Sequence, residues 1–158
     1  MTRDKQPPAF DAMAVTPRTG SSYPAPFRAA CERRIKRALG DAAGLTQFGV
    51  NLVHLNPGDW SAQRHWHSHE DEFVYVLAGE LTLASDAGEQ TLGPGMAAGF
   101  PAGAPDGHCL INRGGVVAVY LEVGDRCNDD RVEYPDIDLV GEPTGGGLRF
   151  TNRKGEPY

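Results

Sequence analysis

The chain has 158 residues, 40% of them hydrophobic, which is enough for one domain with a real core and too few for two full-sized ones. Its 21 acidic against 15 basic side chains leave a net charge of −6, a balance that repels phosphate backbones and argues against nucleic acid as a partner. Three cysteines without C-x-x-C spacing exclude a disulfide framework, and the absence of any long apolar run excludes a signal peptide or membrane span, so the expected compartment is the cytoplasm.

Residues 1–30 carry Pro7, Pro8, Pro17, Pro24 and Pro26 and read as an irregular arm, laid over the rest of the fold or over a neighbouring subunit. The basic run Arg33-Arg34-Ile35-Lys36-Arg37 follows, and a solvated edge is its preferred reading over a phosphate-binding patch. The alternation Ile35, Arg37, Leu39 before Gly40-Asp41 favours a short strand entering a turn. Leu45–Leu55 is long, alternating and rich in β-formers, and Asn56-Pro57-Gly58 stops it. Glu72–Leu77 is a second such run, closed by Ala78-Gly79. Glu80–Ala84 and Gln90–Leu92 flank a hairpin turn at Ser85-Asp86-Ala87-Gly88, and Arg113-Gly114-Gly115 reads as another hairpin between His108–Asn112 and Val116–Val123. The segment 125–158 is polar and rich in Gly and Pro and is expected to pack on the outside as an extension. Its most ordered part is expected at Val132–Val140.

Twenty glycines and twelve prolines punctuate short strands, with no helical period of a dozen residues between them. That pattern predicts an all-β sandwich or barrel spanning 31–124, between the arm and the extension.

The densest chemistry lies between Gly58 and Gly79, which reads GDWSAQRHWHSHEDEFVYVLAG. On a strand His65 and His67 point to one side, about 7 Å apart, while Trp66 points to the other. Glu72 opens the next strand and can bring a carboxylate beside them. Imidazole with carboxylate suits one divalent transition metal such as Fe, Mn, Ni, Co or Zn. His67-Ser68-His69 is a competing pair, but His69 is too close to Glu72 for a strand-turn-strand crossing and is expected beside the site or exposed. His54 has no partner in spacing and is expected to be structural.

These residues resemble the first motif of the cupin superfamily, G-x(5)-H-x-H-x(3,4)-E-x(6)-G, with one extra residue between Gly58 and His65. The second motif, G-x(5)-P-x-G-x(2)-H-x(3)-N, is matched in front by Gly95, Pro101 and Gly103 and behind by His108 and Asn112. Four residues instead of two separate Gly103 from His108, and Asp106 takes the position of the motif histidine. A turn absorbs two extra residues at small entropic cost, so His108 is the expected fourth ligand and Asp106 its alternative. The resemblance spans about residues 45 to 123 and implies a double-stranded β-helix, or jelly roll, of the small single-domain bacterial type. It also implies a metal held by His65, His67, Glu72 and His108.

Four ligands leave open positions on an octahedral ion, where a small carbonyl, hydroxy-acid, sugar-acid or phenolic ligand would bind. A Lewis-acid ion would support isomerase or lyase chemistry, and Fe(II) would support a dioxygenase. His69, Asp71 and Tyr75 are the candidates for proton transfer. The interior is expected to be mostly apolar, from Val74, Val76, Leu110 and Leu52 or Val53. Phe73, Tyr75 and Leu77 fall on the opposite face of their strand, as core between two sheets or as the surface of a homodimer. The alternatives are a non-catalytic small-molecule sensor of the same fold and a degenerate cupin without metal.

Overall fold

The computed structural model describes residues 8–145 and 147–158. Thirteen strands form there: β1 (Arg18–Thr19), β2 (Ile35–Ala38), β3 (Phe48–Leu55), β4 (Trp66–His67), β5 (Glu72–Ala78), β6 (Leu81–Ser85), β7 (Gly88–Leu92), β8 (Ala97–Phe100), β9 (Cys109–Ile111), β10 (Ala118–Asp125), β11 (Val132–Tyr134), β12 (Leu139–Thr144) and β13 (Gly147–Thr151). The one α-helix among the described residues is a single turn, Leu39–Ala42.

One sheet has the order β1-β2-β3-β10-β5-β8; the others are β13-β12-β11-β4 and β7-β6-β9. Isolated bridges His65↔His108 and Trp60↔Ile111 join the two smaller sheets into one layer facing the large one. Every strand pair is antiparallel. The result is the expected all-β double-stranded β-helix.

The core between the layers comes from alternate strand residues: Val53 and Leu55 of β3, Val74 and Val76 of β5, Ala118 and Tyr120 of β10, and Leu81, Leu83, Leu92 and Leu110 opposite. Leu52 falls on the outer face of β3, opposite Leu121, so Val53 is the interior residue of that pair. A second cluster joins Tyr23 and Cys31 to Val132, Tyr134 and Leu139. Those residues come from the Pro-rich arm, the start of the body and the 125–158 segment. The latter segment is more than a wrapping: β11 hydrogen-bonds to β4, with Val132 opposite His67.

The hairpin read at Arg113-Gly114-Gly115 is not one. β9 pairs with β6 whereas β10 pairs with β3 and β5, so the chain crosses between layers there. Asn112 makes the crossing possible. Its buried amide nitrogen donates to the carbonyls of Leu55 and Val116, both at 2.8 Å, and its oxygen accepts from Gly114 N–H at 2.9 Å. Three side-chain bonds replace the ladder that a chain changing sheets must give up.

Gly79 closes the first motif for a steric reason. Its φ is +72°, and a Cβ there would meet the Val117 carbonyl oxygen and Ala118 Cα, each at 2.7 Å. Only glycine turns β5 into β6 this close to β10.

Candidate metal centre and its cavity

Strand alternation puts His65 and His67 on one side, and the packing of the two layers brings Glu72 of the large sheet to them. Glu72 begins β5, and His65 and His67 flank Trp66. The Oε2 atom of Glu72 lies 3.7 Å from His65 Nε2, 3.6 Å from His67 Nε2 and 3.2 Å from His108 Nε2. Thus three imidazoles turn the same ring nitrogen toward one carboxylate oxygen. His65, His67 and Glu72 each offer a ligand atom within 4.8 Å of the other two. His108 enters through the bridge to His65 and through Glu72.

The tautomers fit a cation. His65 Nδ1 donates to the Gln63 carbonyl at 2.8 Å, and His67 Nδ1 donates to Asp130 Oδ2 at 2.7 Å. With Nδ1 protonated, each ring directs the Nε2 lone pair at the centre. Asp130, itself buried, also accepts from the His69 N–H at 2.9 Å and the Ser68 hydroxyl at 3.3 Å. His108 is fixed differently, by a parallel stack on Phe100 of β8 at 3.5 Å between ring centres. Its Nδ1 is buried without a hydrogen-bond partner among the described residues.

The charges are strongly coupled. Burial works against an ionised Glu72, but hydrogen bonds from His108 and His65 and their charges outweigh it, holding its carboxyl well below the usual range. Burial also opposes a charge on His65, and the Glu72 contact reverses that, raising its pKa. For His108 burial prevails over Glu72, and the pKa falls. Glu72 therefore stays ionised and favours a proton on His65, which a divalent cation facing the same carboxylate would have to displace. The donor set of imidazoles and one carboxylate suits a borderline divalent ion.

The centre opens into a cavity of about 330 Å³, within the range of small-molecule sites. Val53, Val74, Val76 and Leu110 form the apolar interior as expected, but the cavity wall on the large sheet is polar. Lys36, Asn51 and Glu122 line it from β2, β3 and β10, and Arg34 lies just before β2. Glu122 Oε1 accepts from Lys36 Nζ at 2.7 Å and from Asn51 Nδ2 at 3.1 Å. The run Arg33–Arg37, read as a solvated edge, does both jobs: Arg34 and Lys36 alternate onto the cavity, and Arg33 faces outward to pair with Asp59 at 2.6 Å. The period-2 alternation within that run was the available signal. Asn51 and Glu122 carried no motif, and only the register that sets them opposite each other reveals them.

Of the residues considered for proton transfer, Tyr75 is on the outer face, 39% exposed. His69 is exposed, with its Nδ1 against the Ser68 hydroxyl. Asp71 lies at the cavity mouth and accepts from Ala102 N–H at 2.7 Å. Asp106, the alternative ligand, instead accepts from Asp86 N–H at 2.7 Å and so props the β6–β7 turn. His54 faces outward from β3 opposite Ile35.

The cupin-domain family model matches residues 51–124. No curated protein sequence matches the chain. Among solved structures, a sugar phosphate isomerase from a cupin superfamily of Silicibacter pomeroyi is 44% identical, with 96% of each chain covered and a TM-score of 0.91. A putative sugar phosphate isomerase from Acidithiobacillus ferrooxidans is 34% identical over 77% of this chain and 78% of that one, with a TM-score of 0.71. A predicted oxalate decarboxylase from Thermotoga maritima shares the fold at 20% identity and a TM-score of 0.62, covering 75% of this chain and 99% of its own. The two motifs, the jelly roll they sit in and a relative matched along nearly its whole length agree: this chain belongs to the cupin superfamily.

Proposed function

We propose that this chain is a metal-dependent isomerase of small phosphorylated sugars. The observation that carries it is the convergence of three Nε2 atoms on Glu72 Oε2 at one wall of a small-molecule cavity. The names of the Silicibacter and Acidithiobacillus relatives, 44% and 34% identical, supply the reaction class.

His65, His67, Glu72 and His108 would hold one divalent ion. Such an ion polarises a substrate carbonyl or hydroxyl oxygen and so acidifies the neighbouring C–H. The proton that moves between adjacent carbons needs a carboxylate in the same cavity, and Glu122 is placed for it. One of its oxygens holds Lys36 and Asn51, and the other accepts no hydrogen bond from the described residues. Lys36 and Asn51 together hold that carboxylate in one orientation beside the substrate.

Incubating the purified protein with a panel of aldose and ketose phosphates, with metal content measured in parallel, tests the proposal. Interconversion should be lost after chelation, restored by one added divalent ion, and fall about 100-fold or more in Glu122→Gln, the usual scale of a general base. Turnover that survives in His65→Ala and Glu72→Ala would end the reading.

Two further assignments go with it. Phe73, Tyr75 and Leu77 are 45%, 39% and 44% exposed on the outer face of the large sheet, next to Leu121 and Val123 of β10. They are not core between sheets within one chain, and a contiguous apolar sheet face of this kind fits a second copy in a homodimer. Light scattering should give a dimer that Tyr75→Lys converts to monomer, and a monomeric native protein would refute it. All three cysteines are free, which supports a reducing, cytoplasmic compartment. No helix among the described residues is long and apolar enough to cross a membrane.

A further inference from the structure

Three cations line the cavity: Arg34, Lys36 and Arg126. Two are already matched, Lys36 by Glu122 at 2.7 Å and Arg126 by Asp41. Arg34 makes no ion pair among the described residues; it donates through one guanidinium nitrogen to the Ser61 carbonyl. Its charge acts on the Tyr23, Tyr120 and Tyr134 side chains, which are neutral phenols. Tyr134 in turn packs against His65, with ring centres 5.9 Å apart. A half-buried guanidinium without a counter-ion among the described residues therefore lines the same cavity as His65, His67 and Glu72.

The acidic groups on the same cavity are each committed elsewhere. Glu122 is held by Lys36 and Asn51, and Glu70 accepts from Cys127 N–H at 2.7 Å. Asp71 accepts from Ala102 N–H at 2.7 Å, Asp125 accepts from Asp71 N–H at 3.3 Å, and Glu72 faces the three imidazoles. None of them forms an ion pair with Arg34, whose remaining N–H groups are available to an oxyanion.

We infer that Arg34 binds the phosphate end of the substrate, while the reacting carbons lie toward His65, His67 and Glu72. This rests on the isomerase reading for its choice of phosphate over carboxylate. The fork of guanidinium N–H donors matches two phosphate oxygens, and pairing a partly desolvated cation is a strong orienting contact. Arg34 then decides which end of the sugar reaches the metal. Lys36, two residues on and facing the same cavity, is reserved for Glu122.

Equilibrium dialysis with radiolabelled inorganic phosphate tests this on the protein as purified and after chelation, for the native chain, Arg34→Gln and Arg34→Lys. The glutamine keeps a donor for the Ser61 carbonyl, so the local fold is preserved while the charge is removed, and circular dichroism checks that it is. The native protein should bind one phosphate with or without metal. Arg34→Gln should weaken binding by about tenfold or more, and Arg34→Lys should fall between, since a point charge lacks the fork. Equal affinity in the native chain and Arg34→Gln would overturn the assignment. So would phosphate binding that vanishes on chelation, which would put the anion at the metal, or displacement by acetate as effective as by phosphate. Phosphate bound through Arg34 in a protein without isomerase activity would uphold the subsite while ending the proposed reaction, so the two can fail separately.

Discussion

Replacing Asp130 tests whether the metal centre depends on a residue outside both sequence motifs. Asp130 Oδ2 accepts from His67 Nδ1 at 2.7 Å, and Oδ1 accepts from the His69 N–H at 2.9 Å. The carboxylate is buried, and the hydrogen bonds and charge of His67, with the His69 and Ser68 bonds, outweigh burial and hold its pKa below the ordinary value. Asp130→Ala removes the group that fixes the His67 tautomer and strands the His69 N–H. Loss of such an outer partner lowers metal affinity about 10- to 100-fold, or roughly 1.4 to 2.7 kcal/mol. The stranded donor adds about 1 to 3 kcal/mol of destabilisation. Asp130→Asn keeps an acceptor for His67 without the charge, so it should lose less of both. Metal affinity is read by competition with a chromophoric chelator, and stability by urea unfolding in excess chelator. An Asp130→Ala protein that binds metal within about threefold of native would refute the reasoning, because that gap is smaller than one charge-assisted hydrogen bond supplies.

Asn112→Ala should destabilise by about 3 kcal/mol or more in urea unfolding, since it removes three bonds at the crossing between layers and leaves buried backbone groups unpaired. Gly79→Ala should lower stability more than Gly88→Ala. Both glycines have positive φ, at +72° and +105°, but only the first Cβ would strike backbone, so Gly88→Ala should cost about 1 to 2 kcal/mol and Gly79→Ala visibly more. Burial pushes the Cys31 thiol up to about 11 and the Cys109 thiol up to about 12, so at pH 8 a thiol reagent should modify Cys127 alone in the native protein and all three cysteines in denaturant.

The metal-side wall was legible because its geometry is local. His65-x-His67 needs only strand alternation, and Glu72 needs only the next strand to begin where its apolar run does. The polar wall depends on which strands become neighbours. Asn51 and Glu122 meet because β3 and β10 pair, and nothing within either segment announces a polar interior position. Lys36 joins them through the β2–β3 ladder, where a basic run on its own looks like surface. The misread hairpin at Arg113-Gly114-Gly115 has the same origin. Turn chemistry tells where a chain bends, and the buried amide of Asn112 decides which sheet it enters next. Asp130 lay in a segment read as an outer wrapping, because a Gly- and Pro-rich composition hides the short ladder from Val132 to Tyr134.

The pairing of β11 with β4 also has a consequence for assembly in time. His67 sits opposite Val132, and its orienting carboxylate arrives on Asp130, so the ligand strand has no neighbour on that side until more than sixty further residues are made. Contacts this distant along the chain close late and slow folding. During synthesis His65 emerges together with the Gln63 carbonyl that orients it, whereas His67 precedes its orienting Asp130 by most of the second layer. The orientation of His67 is thereby tied to completion of the second layer, because the chain must be made through β11 before its partner carboxylate and its neighbouring strand are both in place.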